Sequence, residues 1–255
     1  CENIDIVFHV AGIKGSPAVA LNKPASFYVP TILFNTNLLE SAIKSKVDHI
    51  LYTSSIGVYS PSSKFNEDDV WKTFPSENDW YPGWAKRVGE MNVQAYTKEY
   101  DWNKCSIVRP ANVYGPNDNF DLKTCHILPA FIKQFAEKNK FIEIYGNGEQ
   151  KRDFIHVSDC ISVILWFYKN KKISGLFNVG TGKARTFLDI IKILFKQLNK
   201  KEKINFIDTP KNIRKHYQYF TEANINKLRK YGYKKKFKDI EDGIKLFVKE
   251  NKENY

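Results

Sequence analysis

Short apolar runs alternate along the chain with longer segments in which apolar residues recur at helical spacing. The runs are 4–12 (IDIVFHVAG), 49–55 (HILYTSS), 105–111 (CSIVRPA) and 177–182 (FNVGTG). Because apolar residues occupy consecutive positions, each run predicts a strand that is buried on both faces. Apolar residues three and four positions apart predict helices at 31–44, 84–99 and 127–138.

This alternation of strands and helices predicts an α/β protein with a Rossmann-like parallel sheet and helices on both faces. In such folds the ligand binds beyond the carboxyl ends of the strands. Three of the four runs end in polar or turn-forming residues, at 9–12, 53–55 and 109–112. We therefore expect a binding site where these three segments meet.

Two stretches differ from this pattern and predict a second, smaller lobe. One contains the turn-rich GPNDNFD, a helix and the short strand IEIYG, and the other contains a helix at 186–198 and a strand near 203–207. We predict a Rossmann-like nucleotide-binding domain formed by residues 1–115 and 150–182. Residues 116–149 and 183–255 form the predicted α/β substrate-binding lobe.

The chain carries a net charge of +12, and much of its lysine follows residue 190, as in KKKFK at 234–238. Such charge suits nucleic-acid or membrane contact, or simply the solvated faces of helices. No stacking platform or nucleic-acid module accompanies it, and no apolar run approaches the ~18–20 residues of a membrane span. We expect neither a nucleic-acid nor a membrane partner, although a basic cleft would suit an anionic small molecule.

The four cysteines, Cys1, Cys105, Cys125 and Cys160, are scattered and show no C-x-x-C spacing. This spacing argues against a metal site and against a disulfide framework. A cytoplasmic location, where thiols stay reduced, is the expectation.

Six short stretches together resemble a known family. They are FHVAG (8–12), SSIGVY (54–59), GWAKRVGE (83–90), RPANVYGP (109–116), RDFIHVSD (152–159) and FNVGTG (177–182). In this order they resemble the extended short-chain dehydrogenases/reductases of the nucleotide-sugar epimerase/dehydratase type. Within that family, residues 11–16 and 114–135 are most similar to GDP-L-fucose synthase-like enzymes, which epimerise a GDP-4-keto-6-deoxyhexose and reduce its ketone.

The resemblance implies NAD or NADP as cofactor, a nucleotide sugar as substrate, and a homodimer formed through helices 31–44 and 84–99. The residues that it places at the cofactor are His9, Ala11, Gly12, Thr53, Lys86, Pro110 and Asn112. The family also begins with a strand and a G-x-x-G-x-x-G turn that holds the cofactor pyrophosphate. Neither occurs here, so we expect roughly the first three strands of the family's sheet to be missing from this sequence.

Reduction of a ketone needs a hydride, which the nicotinamide supplies, and a proton, which the family takes from a tyrosine four residues before a lysine. Here Pro82 lies four residues before Lys86, and Tyr81 lies five before it. Within one helix, Tyr81 would point well over a right angle away from Lys86. Proline favours the first helical position, however, which makes Tyr81 a cap residue that could reach the site from the loop. The alternative is an aromatic ring packed beneath the helix.

The resemblance adds two catalytic candidates. Ser55, four residues before Tyr59, would hold the ketone oxygen, or its T-S-S run simply caps the strand end. His126 matches the acid that the fucose synthases use in epimerisation, or it is structural. Their partner cysteine would fall at Gly57, which weakens the epimerase prediction. Lys86 itself is either the catalytic lysine of the family or an exposed helix lysine.

The substrate-binding candidates by resemblance are Lys14, Asn112, His126, Arg152 and Arg214. Either arginine could grip the diphosphate through a bidentate contact. Arg152 could equally pair with Asp153 or Asp159, and Lys14 could be a solvated loop lysine.

Two functions of different classes follow. The first is an NAD(P)-dependent enzyme that reduces or epimerises a nucleotide-linked hexose. Its expected substrate is a 4-keto-6-deoxy sugar nucleotide. The alternative is a catalytically inactive relative or fragment that binds a nucleotide sugar or a partner. The absent glycine-rich turn and Pro82 favour the alternative.

Overall fold

The computed structural model describes residues 1–13, 17–62, 64–137, 141–209 and 219–254. Its strands are β1 (Ile6–His9), β2 (His49–Thr53), β3 (Cys105–Pro110), β4 (Asn112–Tyr114), β5 (Ile142–Tyr145), β6 (Lys151–His156), β7 (Gly175–Val179), β8 (Ala184–Thr186), β9 (Ile204–Ile207) and β10 (Phe220–Thr221). Its α-helices are α1 (Pro17–Asn22), α2 (Pro24–Lys44), α3 (Trp80–Tyr100), α4 (Ile127–Glu137), α5 (Val157–Lys169), α6 (Phe187–Gln197), α7 (Asn226–Lys230) and α8 (Ile240–Glu250).

The four strands predicted from apolar runs form one sheet in the order β1-β2-β3-β7, and every pairing in it is parallel. The prediction that each is buried on both faces is wrong for β1, where Phe8 is 43% exposed. Among the described strands β1 has a neighbour on one side only, and the Phe8 ring meets Tyr168 at the sheet edge, 5.8 Å away. The central strands β2 and β3 are buried as predicted.

Helices α2 and α3 cover one face of this sheet. Leu39 of α2 and Val93 of α3 pack with Ile50 and Tyr52 of β2 in one buried cluster. Gly89 allows the close approach of α3, since a Cβ at this position would collide with the Tyr52 hydroxyl. The missing side chain therefore sets how near the helix lies to the strand ends.

Helix α5 covers the opposite face, so the predicted arrangement with helices on both faces is confirmed. Val163 and Phe167 of α5 pack against Val108 of β3 and Phe177 of β7. The two phenylalanine rings lie 4.9 Å apart and are fully buried, which contributes about 1.5–3 kcal/mol for each. No helix among the described residues is long and apolar enough to cross a membrane.

A second core lies under α4, α6 and α8, with Phe131, Ile191 and Phe247 at its centre. The amphipathic α6 begins at a capping box between Thr186 and Asp189. Beside this core β5 pairs with β9, while β10, β6 and β4 form a small parallel sheet to which β8 adds an antiparallel strand. This small sheet joins strands from both predicted domains, and the division between those domains stays a prediction.

Candidate active site

Lys86 lies where the strands β1 and β2 end. Its side chain is buried, with the residue 7% exposed, and its Nζ donates to the backbone oxygen of Thr53 at 2.8 Å and to that of Ala11 at 3.5 Å. The same ammonium lies 5.3 Å from the centre of the Tyr52 ring. The alternative reading of Lys86 as an exposed helix lysine is therefore wrong.

A small cleft opens beside this ammonium. Its lining residues are Ile13, Thr31, Ser55, Gly57, Asp79, Pro82, Gly83 and Lys86. Gly12 is exposed at its rim, and a Cβ there would lie 3.9 Å from the Lys86 Nζ. The cleft thus lies at the carboxyl edge of the parallel sheet, where the strand pattern predicts a binding site.

Ser55 combines both of the roles that its sequence context left open. Its Oγ accepts a hydrogen bond from the backbone N–H of Gly57 at 3.1 Å, which caps the short 3₁₀ helix Ile56–Val58. The residue is half-buried and also lines the cleft with Lys86. The hydroxyl is therefore held in place by the turn that follows it.

Tyr81 is not the cap of α3, and this prediction is wrong. The helix begins at Trp80, so Tyr81 is its second residue and Pro82 its third. A proline is tolerated there because the first N–H groups of a helix have no acceptor within it. Tyr81 therefore follows helical geometry, at about 140° from Lys86 around the axis. Its ring is 39% exposed, lies edge-on to Tyr28, and is not among the described residues that line the cleft.

A buried charge network beneath the cleft was missed by sequence reasoning. Arg109 donates from Nε and Nη2 to the two carboxylate oxygens of Glu90, at 2.9 and 2.6 Å, and both side chains are fully buried. Ser54 donates to Glu90 at 2.5 Å. Arg109 also donates to the Tyr59 hydroxyl, which in turn donates to Asn178, each at 2.7 Å. These contacts join α3 to the carboxyl ends of β2, β3 and β7.

The network shifts the pKa values of Arg109 and Tyr59. Burial alone would lower the pKa of Arg109, but the hydrogen bonds and the charge of Glu90 outweigh it and raise that pKa. Burial also raises the pKa of Tyr59, against the opposing effect of Arg109. Tyr59 therefore remains a neutral structural hydroxyl.

His9, a predicted cofactor contact, turns its side chain into the core. Its Nε2 lies 2.7 Å from the Asn35 Oδ1, and its ring stacks on Tyr52 at 5.1 Å. Burial lowers the pKa of His9, more than the hydrogen bond to Asn35 raises it. Any contact that residue 9 makes with a cofactor is thus restricted to its backbone.

Pro110, at the end of β3, is half-buried and pairs with Val179.

Asn112 and Asp153, which lie on the neighbouring strands β4 and β6, are both held by hydrogen bonds to backbone groups. The Asn112 amide donates to the backbone oxygen of Asp153 at 2.9 Å. The Asp153 carboxylate accepts from the backbone N–H groups of Thr181 at 2.8 Å and Gly182 at 3.0 Å. This carboxylate is therefore committed to the loop that follows β7.

Two other predicted substrate residues, His126 and Arg152, do not line the Lys86 cleft. His126 is exposed immediately before α4, and the Arg152 guanidinium lies 5.4 Å from the centre of the Phe187 ring. Neither belongs to the cleft lining among the described residues. Lys14 and Arg214 lie outside the residues that the structure describes.

A larger cleft of about 190 Å³ lies between the β7–β8 connection and the start of α8. Its lining residues are Phe154, Thr181, Lys183, Arg185, Arg229, Lys236, Phe237, Lys238, Asp239 and Ile240. Several of its cations face acids: Arg185 lies 2.9 Å from Glu241, and Lys236 lies 3.4 Å from Asp239. The basic charge here is thus partly balanced by the protein itself.

Comparisons with known proteins agree on the fold and on the family. The sequence model of the NAD dependent epimerase/dehydratase family matches residues 1–180. The ADP-L-glycero-D-manno-heptose-6-epimerase of Nitratidesulfovibrio vulgaris is 28% identical over 262 residues, covering 97% of this chain and 76% of that protein.

Two solved structures are similar over nearly the whole chain. UDP-glucuronic acid 4-epimerase from Bacillus cereus, in complex with UDP-glucuronic acid and NAD, has a TM-score of 0.82 at 28% identity, covering 99% of this chain and 77% of that one. UDP-N-acetylglucosamine 4-epimerase from Methanobrevibacter ruminantium M1, in complex with UDP-N-acetylmuramic acid, has a TM-score of 0.86 at 21% identity, covering 100% and 78%. These likenesses confirm the predicted Rossmann-like fold.

Proposed function

Because the chain belongs to the NAD dependent epimerase/dehydratase family, we propose that it uses NAD or NADP to reduce or epimerise a nucleotide-linked sugar. The observation that carries this proposal is the buried Lys86 ammonium, held at the ends of two parallel strands beside the Ser55 hydroxyl. A cation and a hydroxyl converging at this edge suit a ligand rich in oxygen atoms.

The residues at this edge fit the nicotinamide–ribose end of the cofactor. Ala11 and Gly12 are exposed, so the carboxyl end of β1 is accessible to a ligand, and the Lys86 ammonium lies there. The bound nicotinamide would supply or accept a hydride. Lys86 would bind the ribose hydroxyls, and Ser55 would hold the sugar oxygen at the reacting carbon. The contact between Lys86 and the Thr53 backbone oxygen fixes the ammonium before any ligand arrives.

The finer proposal is a 4-keto-6-deoxyhexose linked to GDP as the substrate. Its support is the resemblance of residues 11–16 and 114–135 to GDP-L-fucose synthase-like enzymes. The heptose epimerase relative is named for an ADP-linked sugar. The two 4-epimerase structures described above hold UDP-linked sugars. The choice of base and sugar therefore has to be tested across all three nucleotides.

A second candidate function is binding of a nucleotide sugar without turnover. Two observations favour it: Pro82, four residues before Lys86, has no proton to give, and the Tyr81 ring lies outside the cleft lining. The two functions differ in whether the bound sugar nucleotide is chemically converted.

Calorimetry with ADP-, GDP- and UDP-linked sugars, each with and without NADPH or NAD, separates the candidates when it is combined with chromatography of the sugar nucleotide and absorbance at the nicotinamide band. Conversion of one sugar nucleotide, with or without a net change in the nicotinamide, supports the enzyme, whereas binding without conversion of the sugar supports the second function. We expect Lys86→Ala to abolish turnover. Lys98→Ala, which removes an exposed lysine from the same helix, should leave it unchanged. Turnover that survives Lys86→Ala would contradict the proposed site.

We also propose a homodimer formed through α2 and α3. Val29 and Leu33 lie one turn apart on α2 and are both exposed, as is Met91 on α3. Exposed apolar side chains at such spacing suit a helix–helix interface.

A further inference from the structure

We propose that the carboxyl group of Asp79 transfers the proton at this site, the role that the sequence analysis predicted for Tyr81. Asp79 lines the same cleft as Ser55 and Lys86. It is half-buried and lies directly before the first residue of α3. This inference rests on the proposed function, because it names the acid–base group for that reaction.

The Asp79 carboxyl group and the Ser55 hydroxyl both border the space beside Gly57. A Cβ at position 57 would lie 3.4 Å from the Asp79 Cγ, 3.5 Å from its Oδ1 and 3.4 Å from the Ser55 Oγ. The carboxylate and the hydroxyl therefore lie near the same point, and both line the cleft. A substrate oxygen bound by Ser55 would lie within reach of the carboxylate, directly or through the serine hydroxyl.

Tight packing holds Asp79 in this place. A Cβ on Gly83 would lie 2.6 Å from the Gly57 backbone oxygen and 2.7 Å from the Pro75 Cβ, so the first turn of α3 rests directly on the Ser55 loop. The Asp79 backbone N–H donates to the Ser76 oxygen at 3.0 Å. Its side chain lines the cleft together with Ser55 and Lys86.

The chemistry balances with the nicotinamide cofactor of the family as oxidant or reductant. In the oxidation of a sugar hydroxyl group to a ketone, the C–H bond at that carbon would break and the cofactor would accept the hydride. The O–H proton passes to the Asp79 carboxylate, and a C=O bond forms. In the reverse direction the protonated Asp79 returns that proton to the oxygen while the carbon receives the hydride.

The test compares Asp79→Asn with Glu77→Gln, which removes an equal charge from the exposed residue two positions earlier. With the sugar nucleotide and cofactor that wild type turns over, we expect Asp79→Asn to lower kcat by on the order of 10²–10⁴-fold. Its affinities for NADH and for the sugar nucleotide, measured by fluorescence and calorimetry, should not change. Glu77→Gln should match wild type. Asp79→Glu, which keeps a carboxyl group, should retain more turnover than Asp79→Asn, and equal losses would overturn the proposal.

A second readout does not depend on turnover. In protein labelled with ¹³C at the aspartate carboxyl groups, the Asp79 signal is the one missing from Asp79→Asn. We expect it to shift when NAD and the sugar nucleotide are added together. A signal that does not move, or turnover that survives Asp79→Asn, would overturn the role of Asp79 alone. If wild type binds no sugar nucleotide at all, the proposed function fails and this inference fails with it.

Discussion

Replacing Glu90 by glutamine should destabilise the fold strongly, because it would leave the Arg109 guanidinium buried without its counter-ion. The two side chains are both 0% exposed and are joined by two hydrogen bonds, at 2.9 and 2.6 Å. Ser54 donates a third hydrogen bond to the same carboxylate. No water can reach the guanidinium to compensate for the lost charge.

Breaking a buried ion pair from one side costs about 3–5 kcal/mol, against a total free energy of unfolding of about 5–15 kcal/mol for a typical domain. The loss should appear as a lower urea midpoint with an unchanged slope, followed by tryptophan fluorescence. The variant Glu90→Leu with Arg109→Met removes both charges and leaves neither unpaired. The free energy of unfolding that this double variant loses should be smaller than the sum of the losses in Glu90→Leu and Arg109→Met.

The pair between Glu40 and Lys44 on α2 is a matched control. It has the same 2.6 Å separation, but the two side chains are 46% and 73% exposed. Glu40→Gln should cost about 0.5 kcal/mol or less, because water already solvates both charges. If Glu90→Gln cost no more than Glu40→Gln, or if the losses at 90 and 109 were additive, the reasoning from burial would be refuted.

Two further predictions concern pH and assembly. Burial, aided by Lys171, lowers the pKa of His49 to about 4 from 6.5, so the unfolded chain binds this proton first as the pH falls. Stability should therefore be complete above pH 6.5 and fall by at most about 3 kcal/mol toward pH 4. Urea unfolding across this range measures it, and a curve that His49→Gln does not flatten would contradict it. For assembly, light scattering should give a dimer mass for wild type and a monomer mass for Leu33→Glu; a wild-type monomer would refute the proposed interface.

The central strands could be predicted from sequence because each is buried on both faces, which leaves an uninterrupted apolar run. The runs at 49–55 and 105–111 are therefore found almost residue for residue, as His49–Thr53 and Cys105–Pro110. The run at 4–12 looks the same, yet Phe8 is largely exposed. Its burial depends on how many strands flank it, and the apolar pattern of a single run does not encode that number.

The pairing of Glu90 with Arg109 could not be predicted in the same way. The two residues come from a helix and the next strand, and their contact depends on how closely α3 approaches the sheet at Gly89. Lys86 was easier to find because it belongs to a contiguous motif. Charged residues inside buried segments are the sequence signal for such pairs, because a buried charge needs a partner.

The wrong prediction that Tyr81 caps α3 and the proposed role of Asp79 both depend on the residue at which α3 begins. A proline marks the first turn of a helix but not its first residue, because any of the first few N–H groups can be spared. Because α3 begins at Trp80, Tyr81 turns away with the helix, and Asp79 lies directly before it at the end of the short 3₁₀ helix Glu77–Asp79. The family motif predicts a proton donor four residues before Lys86. The structure instead brings a carboxyl group from seven residues before it to the cleft, beside Gly57.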